Sequence, residues 1–506
     1  MSVDNARIAK NTVYLYIRMI FVLGANFFAV RVLLEALGVA DYGLFNLIVG
    51  FVTLFTLLNG AMQSTVQRFL CFELGKETGG DTKEVFAVCL VLFAALAGLI
   101  LLASETVGLW FVNCKLNIPP GRERSAAIVY QLSILVMLAK TMQIPFTALI
   151  VSYERMGVFA KISIVEAALT LGAALALKFL SGDLLIWYTS LYTLATLVVM
   201  AVYAGFCRAH FAEARFPRRI ERGRIGSIGS FFSWSIFGAV ANMLKQQGLN
   251  VLLNLFFGVA FNATWAVANK VGAAVNQLVS SFQQAFNPQI VKSWVEKDKK
   301  PFFELLVSSS RWSFLLIWIG AMPLIAFPDF FLGLWLKGPL PPLLSLFVRL
   351  MVVFFIFESL SGPLWMAVQA TGKIAVYQCL IAAMTGLLFV GCWLMLFYGA
   401  AAQTVVILNV VIGMVCYVTR IFYLRWVIFM PVVPFLLQLA RILFIVVLTG
   451  LVAMGLHRVS GTLGTFFCIT ILFVSNILAI FLFGLSAGER WAVRRRICER
   501  VAKKEI

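Results

Sequence analysis

Roughly fourteen apolar runs of about 20 residues, each bounded by charge or by Pro and Gly, leave this chain one way to fold, because each run matches the thickness of a bilayer when helical. Counted from the first core residue, they begin near Thr12, Tyr42, Val85, Ala126, Val158, Leu184, Phe231, Asn262, Phe303, Leu343, Ile374, Ala402, Pro434 and Thr462. With 62% hydrophobic and 12% charged residues among 506, no water-soluble surface can be assembled around them. The expected fold is therefore an all-α polytopic membrane protein.

The net charge of +19 matters less than where the charges fall. If the N-terminus is cytoplasmic, the inward ends and loops hold roughly 26 of the 41 Lys and Arg, against about 7 in outward loops. That bias predicts both termini inside. The basic stretches Arg208–Arg224 and Arg490–Lys504 are then topology determinants, and no nucleic-acid partner is expected. Arg7 and Lys10 lead into a full-length span without a small-residue cleavage site, so the first helix is expected to stay. Cys114 alone falls in a clearly outward loop, and no cysteine has zinc-ligand spacing. His210 and His457, placed in loops on opposite sides, cannot form a metal or catalytic cluster.

Two spans carry polar stripes. Asn242, Gln246, Asn250 and Asn254 recur every fourth residue, and Asn269, Asn276, Ser280, Gln283 and Asn287 follow steps of three and four, so each set faces one direction on a helix. Amides facing lipid are costly, which sends the stripes toward a wet cavity or a helix seam. Both readings stand on the sequence: substrate hydroxyls and interhelical packing each use paired donors and acceptors.

Arg18, Lys140, Lys245 and Lys270 lie at depth in the first, fourth, seventh and eighth spans, with no acidic residue at matching depth in the same helices. Charge there marks a site, and an anion is the natural partner. With Asn242, Gln246, Asn269 and Asn276 these four are the expected substrate-binding set. Glu166 and Glu358 are the acids inside the bilayer; each is a candidate for ion or proton coupling, with neutralisation of a neighbouring cation the stronger reading.

An ungapped shift of 220 residues lays Leu37-Gly38-Val39-Ala40 on Phe257-Gly258-Val259-Ala260 and Gln63 on Gln283; a second match puts Gly157 on Gly372 at a shift of 215. Such repeats divide the chain into an N-lobe over 1–206 (helices 1–6), a basic linker over 207–230, a C-lobe over 231–429 (helices 7–12), additional helices 13 and 14 over 430–488, and a basic tail over 489–506. Membrane transporters are commonly built from repeats with the site at their interface. On that plan the first two helices face the seventh and eighth across a cleft, with Asn269, Asn276 and Gln283 opposite Asn46, Gly50, Thr53 and Gly60, and the four cations converge near the midplane.

Leu37-Gly38 with Asp41-Tyr42-Gly43, Gln67-Arg68, Pro145 with Tyr153-Glu154-Arg155, Asn250 to Gly258, and Phe286-Asn287-Pro288-Gln289-Ile290-Val291-Lys292 occur in that order over nearly the whole chain. In this the chain resembles the polysaccharide-transporter branch, the O-antigen-type flippases, of the multidrug/oligosaccharidyl-lipid/polysaccharide exporter (MOP) superfamily. The resemblance implies a bacterial inner-membrane flippase that moves an undecaprenyl-pyrophosphate-linked oligosaccharide from inner to outer leaflet by alternating access, with lipids and polysaccharide-assembly proteins such as a polymerase as partners. It implies no cofactor beyond an ion or the membrane potential. Gly248 departs from the pattern, standing where many relatives carry an acid. A multidrug exporter of the same superfamily is the alternative. A membrane enzyme of polysaccharide assembly is disfavoured, since the largest outward loop, about Glu105–Glu123, has one acid at either end and no His.

Overall fold

The computed structural model describes residues 5–53, 59–76, 81–114, 118, 121–214, 221–296, 299–336, 341, 343–456, 462–485 and 489–490. Sixteen α-helices account for nearly all of them, and no strand occurs among the described residues. In chain order they are α1 (Asn5–Thr53), α2 (Asn59–Leu74), α3 (Thr82–Ala103), α4 (Leu109–Cys114), α5 (Glu123–Ser152), α6 (Met156–Ala176), α7 (Leu184–His210) and α8 (Arg222–Phe257). There follow α9 (Val259–Val295), α10 (Lys300–Ala326), α11 (Pro328–Trp335), α12 (Leu344–Thr371), α13 (Ala375–Phe397), α14 (Gln403–Ile428), α15 (Val432–Leu456) and α16 (Thr462–Ala479). Twelve helices among the described residues are long and apolar enough to cross a bilayer. The 37-residue α9 has the length as well, but its polar stripe keeps it off that count. The chain is a multi-pass membrane protein.

Glycine sets the first turn of each repeat. Gly38 interrupts α1 at φ 74°, ψ 171°, and Gly258 separates α8 from α9 at φ 80°. Residues with a Cβ avoid these angles, so the matching glycines found at a shift of 220 mark a shared backbone event. The second match needs correcting. Gly157 lies inside the first turn of α6, whereas Gly372 follows α12 at φ 78°. The residue that matches Gly372 in conformation is Glu154, at φ 57° just after α5. Pro145 and Pro363 then fall in register within α5 and α12, at a common shift of 218.

The described chain divides into two compact units. Unit 1 comprises Met1–Met243 with Gln284–Lys297 and Gln369–Cys379; unit 2 comprises Leu244–Gln283, Asp298–Val368 and Leu380–Ile506. In unit 1, α1 packs along α6 and α5 along α7, around a core that includes Leu15, Met62, Phe93, Tyr130 and Tyr203. A π-helical turn over Ser104–Gly108 carries α3 into α4, so part of the expected outward loop is helical, and Tyr130 donates its hydroxyl to the Ser104 carbonyl at 2.7 Å. Arg122 grips Asp41 and Asp183 together, which ties the segment after Gly38 to the start of α7. Asp183 also caps α7 through the backbone N–H groups of Leu185 and Ile186 and accepts from Ser125. Burial alone raises its pKa; the Ser125 hydroxyl, those N–H groups and the Arg122 charge outweigh this and hold it below the ordinary value.

In unit 2, α15 and α16 pack on α10. Trp318 bridges the three: its indole N–H donates to Thr449 at 3.2 Å and its carbonyl accepts from the fully buried Asn476 at 3.0 Å. Polar seams of this kind supply direction where lipid removes the hydrophobic drive between helices.

Candidate functional site

Unit 1 brings Arg18 and Lys140 together around one carboxylate. Lys140 on α5 pairs with Glu166 on α6 at 2.8 Å, with Tyr192 of α7 as a further electrostatic neighbour. Arg18 on α1 stacks its guanidinium over the Phe159 ring at 4.5 Å, with Glu166 and Tyr203 as its electrostatic neighbours. Its Nε is buried without a hydrogen-bond partner. Ser163 meets the Tyr203 hydroxyl at 3.3 Å and completes the polar patch. Lys140 takes the Glu166 carboxylate, and Arg18, with no ion pair among the described residues, leaves a net positive charge inside the helix bundle of this unit.

Lys140 is half of an ion pair, and Glu166 has the stronger of the two roles expected of it, neutralising a neighbouring cation; the acid comes from the next helix and not from that of Lys140. The signal existed: both residues sit mid-span in consecutive antiparallel helices.

In unit 2, Lys245 on α8 lies over the Phe354 ring of α12 at 4.7 Å, with Glu358 one turn further along α12 and Cys416 and Arg420 of α14 as its electrostatic neighbours. Again one carboxylate stands among two cations. Lys270 is exposed on α9 and makes no ion pair among the described residues.

The amide stripes divide. Asn242, Gln246 and Asn254 are exposed, while the Asn250 Oδ1 is buried without a partner. Asn269 donates to the Trp265 carbonyl one turn back at 3.3 Å, and Asn276 is half-buried. Gln283 is a seam residue: its Nε2 donates to the Ser359 carbonyl at 2.7 Å and to the Ser313 hydroxyl at 2.9 Å. Pro363, four residues after Ser359, has no N–H to give that carbonyl, so Gln283 supplies the missing donor. The side chains of Asn46, Gly50 and Thr53, expected opposite this stripe, and residue His457 lie outside the described residues. His210 ends α7 and stacks on Phe206, in place of the loop position expected for it.

Gly248 has a steric reason. A Cβ there meets the Phe389 ring of α13 at 2.9 Å, so the acid that the family resemblance implies at this position requires that ring to shift. No group of three or more His, Cys, Asp or Glu that could hold a metal ion occurs among the described residues.

At one end of unit 1, where Arg7, Lys76, Arg155 and Lys292 gather, a second charge cluster forms that reading along the helices did not reveal. Glu154, its side chain 5% exposed, accepts from Lys292 at 2.7 Å and from the Gln289 amide at 3.4 Å, and forms an ion pair with Arg7 at 3.3 Å. Its own segment gave the signal, for Tyr153-Glu154-Arg155 and Gln289 to Lys292 are two of the stretches that carry the family resemblance.

No family model matches the chain, and no curated protein does. Among solved structures the fold recurs. A multidrug-resistance transporter of the MATE family of the MOP superfamily, in its outward-facing conformation, superposes with a TM-score of 0.70 at 11% identity, covering 83% of this chain and 95% of that one. A MATE transporter from Vibrio cholerae, carrying a single substitution, gives 0.67 at 15%, over 83% and 97%. A MOP superfamily transporter from Pyrococcus furiosus, described as having a binding pocket of reverse polarity, gives 0.65 at 12%, over 82% and 96%. This chain has the fold of these MATE-like transporters.

Proposed function

We propose that the protein is a secondary transporter, not an enzyme, and specifically a flippase for an undecaprenyl-pyrophosphate-linked oligosaccharide, a repeat unit of O-antigen, capsule or exopolysaccharide. The fold supports transport, and the ordered motifs support the flippase branch. The observation that carries the substrate is Arg18: a guanidinium inside the bundle, beside a lysine already neutralised by Glu166, keeps its charge for an anion. Lys245 and Lys270, with Gln246, Asn269 and Asn276, extend that role in unit 2, and Asn242 is assigned to the same set. Glu166 and Glu358 are assigned to neutralisation in the first place and to coupling in the second. The loop charges support cytoplasmic termini, and the family resemblance supports the bacterial inner membrane.

Reconstituted protein supplied with a fluorescent lipid-linked oligosaccharide is expected to move it across the bilayer. Arg18→Ala and Lys245→Ala are expected to slow this by about tenfold or more, with Lys245→Arg keeping part of the rate. Wild-type rates in well-folded Ala variants overturn the assignment. The second reading, a multidrug exporter, draws on the MATE multidrug transporter among the similar structures. Efflux of cationic drugs without oligosaccharide movement decides for it, and the two net-positive clusters argue against it.

A further inference from the structure

The motif residues left without a role by the flippase reading converge at the basic end of unit 1. Arg68, near the end of α2, donates from Nε to the Gln369 carbonyl at 3.1 Å and reaches the Ala370 carbonyl at 3.5 Å, both in the last turn of α12. A guanidinium at a helix C-terminus completes unpaired carbonyls and opposes the helix dipole. Gln369 returns a bond to Ser64 of α2 at 2.9 Å. A few residues on, Gly75 lies close against the end of α9: a Cβ there meets the Lys292 carbonyl and the Val295 Cβ at 3.2 Å, a tight contact that a small shift of the neighbours relieves. The ends of α9 and α12 are thus fastened to α1, α2 and α5, which belong to the other repeat.

Glu154 is the centre of this fastening. It holds a positive φ of 57°, which glycine adopts freely and an L residue does not; at the same place after α12 the chain does use glycine, Gly372. A strained, nearly buried carboxylate that draws Arg7 from α1 and Lys292 and Gln289 from α9 is poorly explained by turn formation alone, which glycine serves better. An ion cluster is also a discrete switch. Removing one partner leaves an uncompensated buried charge, so the closed arrangement is lost abruptly and not by degrees.

We infer that Glu154, with Arg7 and Lys292, is an electrostatic latch that holds the end of α9 against α1 and the end of α5, next to the bonds by which Arg68 holds the end of α12, and that the transport cycle passes through its release. The inference rests on the transporter reading only for its second half. Cys71 is a native reporter: fully buried on α2, it lies beside Ser152, Glu154 and Lys292.

The test reacts the full-length protein in nanodiscs with a charged maleimide and follows each cysteine by peptide mass spectrometry. In Glu154→Gln and in Lys292→Ala, Cys71 is expected to react about tenfold faster than in the parent, while Cys89 and Cys207, buried elsewhere in unit 1, stay unreactive. Unchanged Cys71 labelling overturns the latch. So does simultaneous labelling of all three cysteines, which identifies the cluster as a structural ion group. In the second arm, α2 is joined to α9 by oxidising a Gly75→Cys/Val295→Cys variant. Oligosaccharide movement is expected to fall below about a tenth and to return on reduction, whereas parent-like movement by the oxidised form overturns the role in the cycle. If no form of the protein moves the oligosaccharide, the flippase reading falls and the labelling arm still decides the latch.

Discussion

Lys140 and Glu358 occupy the same register of repeat-related helices with opposite charge. Each stands five residues before the helix proline, Pro145 in α5 and Pro363 in α12, and fourteen before the residue of positive φ, Glu154 or Gly372. Opposite signs at one register mean that the two repeats have not kept one charge pattern. Each unit nonetheless ends with two cations around one carboxylate: Arg18, Lys140 and Glu166 in unit 1, Lys245, Arg420 and Glu358 in unit 2. The sign of the residue changed while the sign of the cluster did not.

A charge-swap experiment follows for unit 1. Lys140→Ala leaves Glu166 without its 2.8 Å partner inside the bundle and is expected to cost about 1–3 kcal/mol, since the pair is only half-buried. The Lys140→Glu/Glu166→Lys double variant restores the pair and is expected to recover most of that loss. Melting temperatures in detergent check it; a double variant no better than the sum of its single changes removes the pair from the stability of the unit.

Acid should loosen the opposite end of the same unit. The Asp183 carboxylate is held below its ordinary value, so its contribution is fully present above the unfolded value of about 3.9 and is lost as pH falls through the folded one. Stability is therefore expected to be flat in this respect near neutrality and to fall below about pH 4. Asp183→Asn, which cannot titrate, is expected to flatten that acid slope, as read from melting temperatures between about pH 3 and pH 7.

The glycines of the repeat offer a cleaner measurement, because space is not at issue. Nothing lies within 4 Å of a Cβ built at Gly38 or at Gly258. Any loss in Gly38→Ala or Gly258→Ala then comes from the backbone alone, and about 1–3 kcal/mol is expected for each. Equal stability of the variants and the parent in thermal unfolding would show that the chain relaxes to ordinary helical angles at these points.

Helices were legible in the sequence to within a few residues, because a span needs about 20 apolar residues and its flanks are marked by charge. Glycine identity located the first repeat match and misplaced the second. At Gly38 and Gly258 the conformation needs glycine on both sides, whereas after α5 the same conformation is held by Glu154 through its contacts. Contacts between distant segments are invisible to a reading that runs along one helix. For that reason Glu166 was legible as a neutralising acid but Lys140 was not legible as its partner, and the cluster around Glu154 was seen only as scattered motifs. Amide spacing gave the direction of Gln283 but not its partner, since the need for a donor arises from Pro363 on another helix.

That last relationship gives the sharpest test of what a polar stripe is for. Pro363 leaves the Ser359 carbonyl without its usual donor inside an apolar bundle, and Gln283 fills the place at 2.7 Å while holding Ser313 at 2.9 Å. Its terminal amide sits directly against Gly362, so close that a Cβ at Gly362 would displace it. Gly362→Ala should therefore act through Gln283. It is expected to cost about 1–3 kcal/mol by breaking two hydrogen bonds and leaving the Ser359 carbonyl unpaired, and Gln283→Ala is expected to cost a similar amount. Because both changes remove the same contacts, the Gly362→Ala/Gln283→Ala double variant should lose little more than either alone. Pro363→Ala gives the converse, for it returns a backbone donor to Ser359 and should make Gln283→Ala milder. Additive losses in the first pair, or an undiminished loss in the second, would return Gln283 to the set of amides free to meet a substrate.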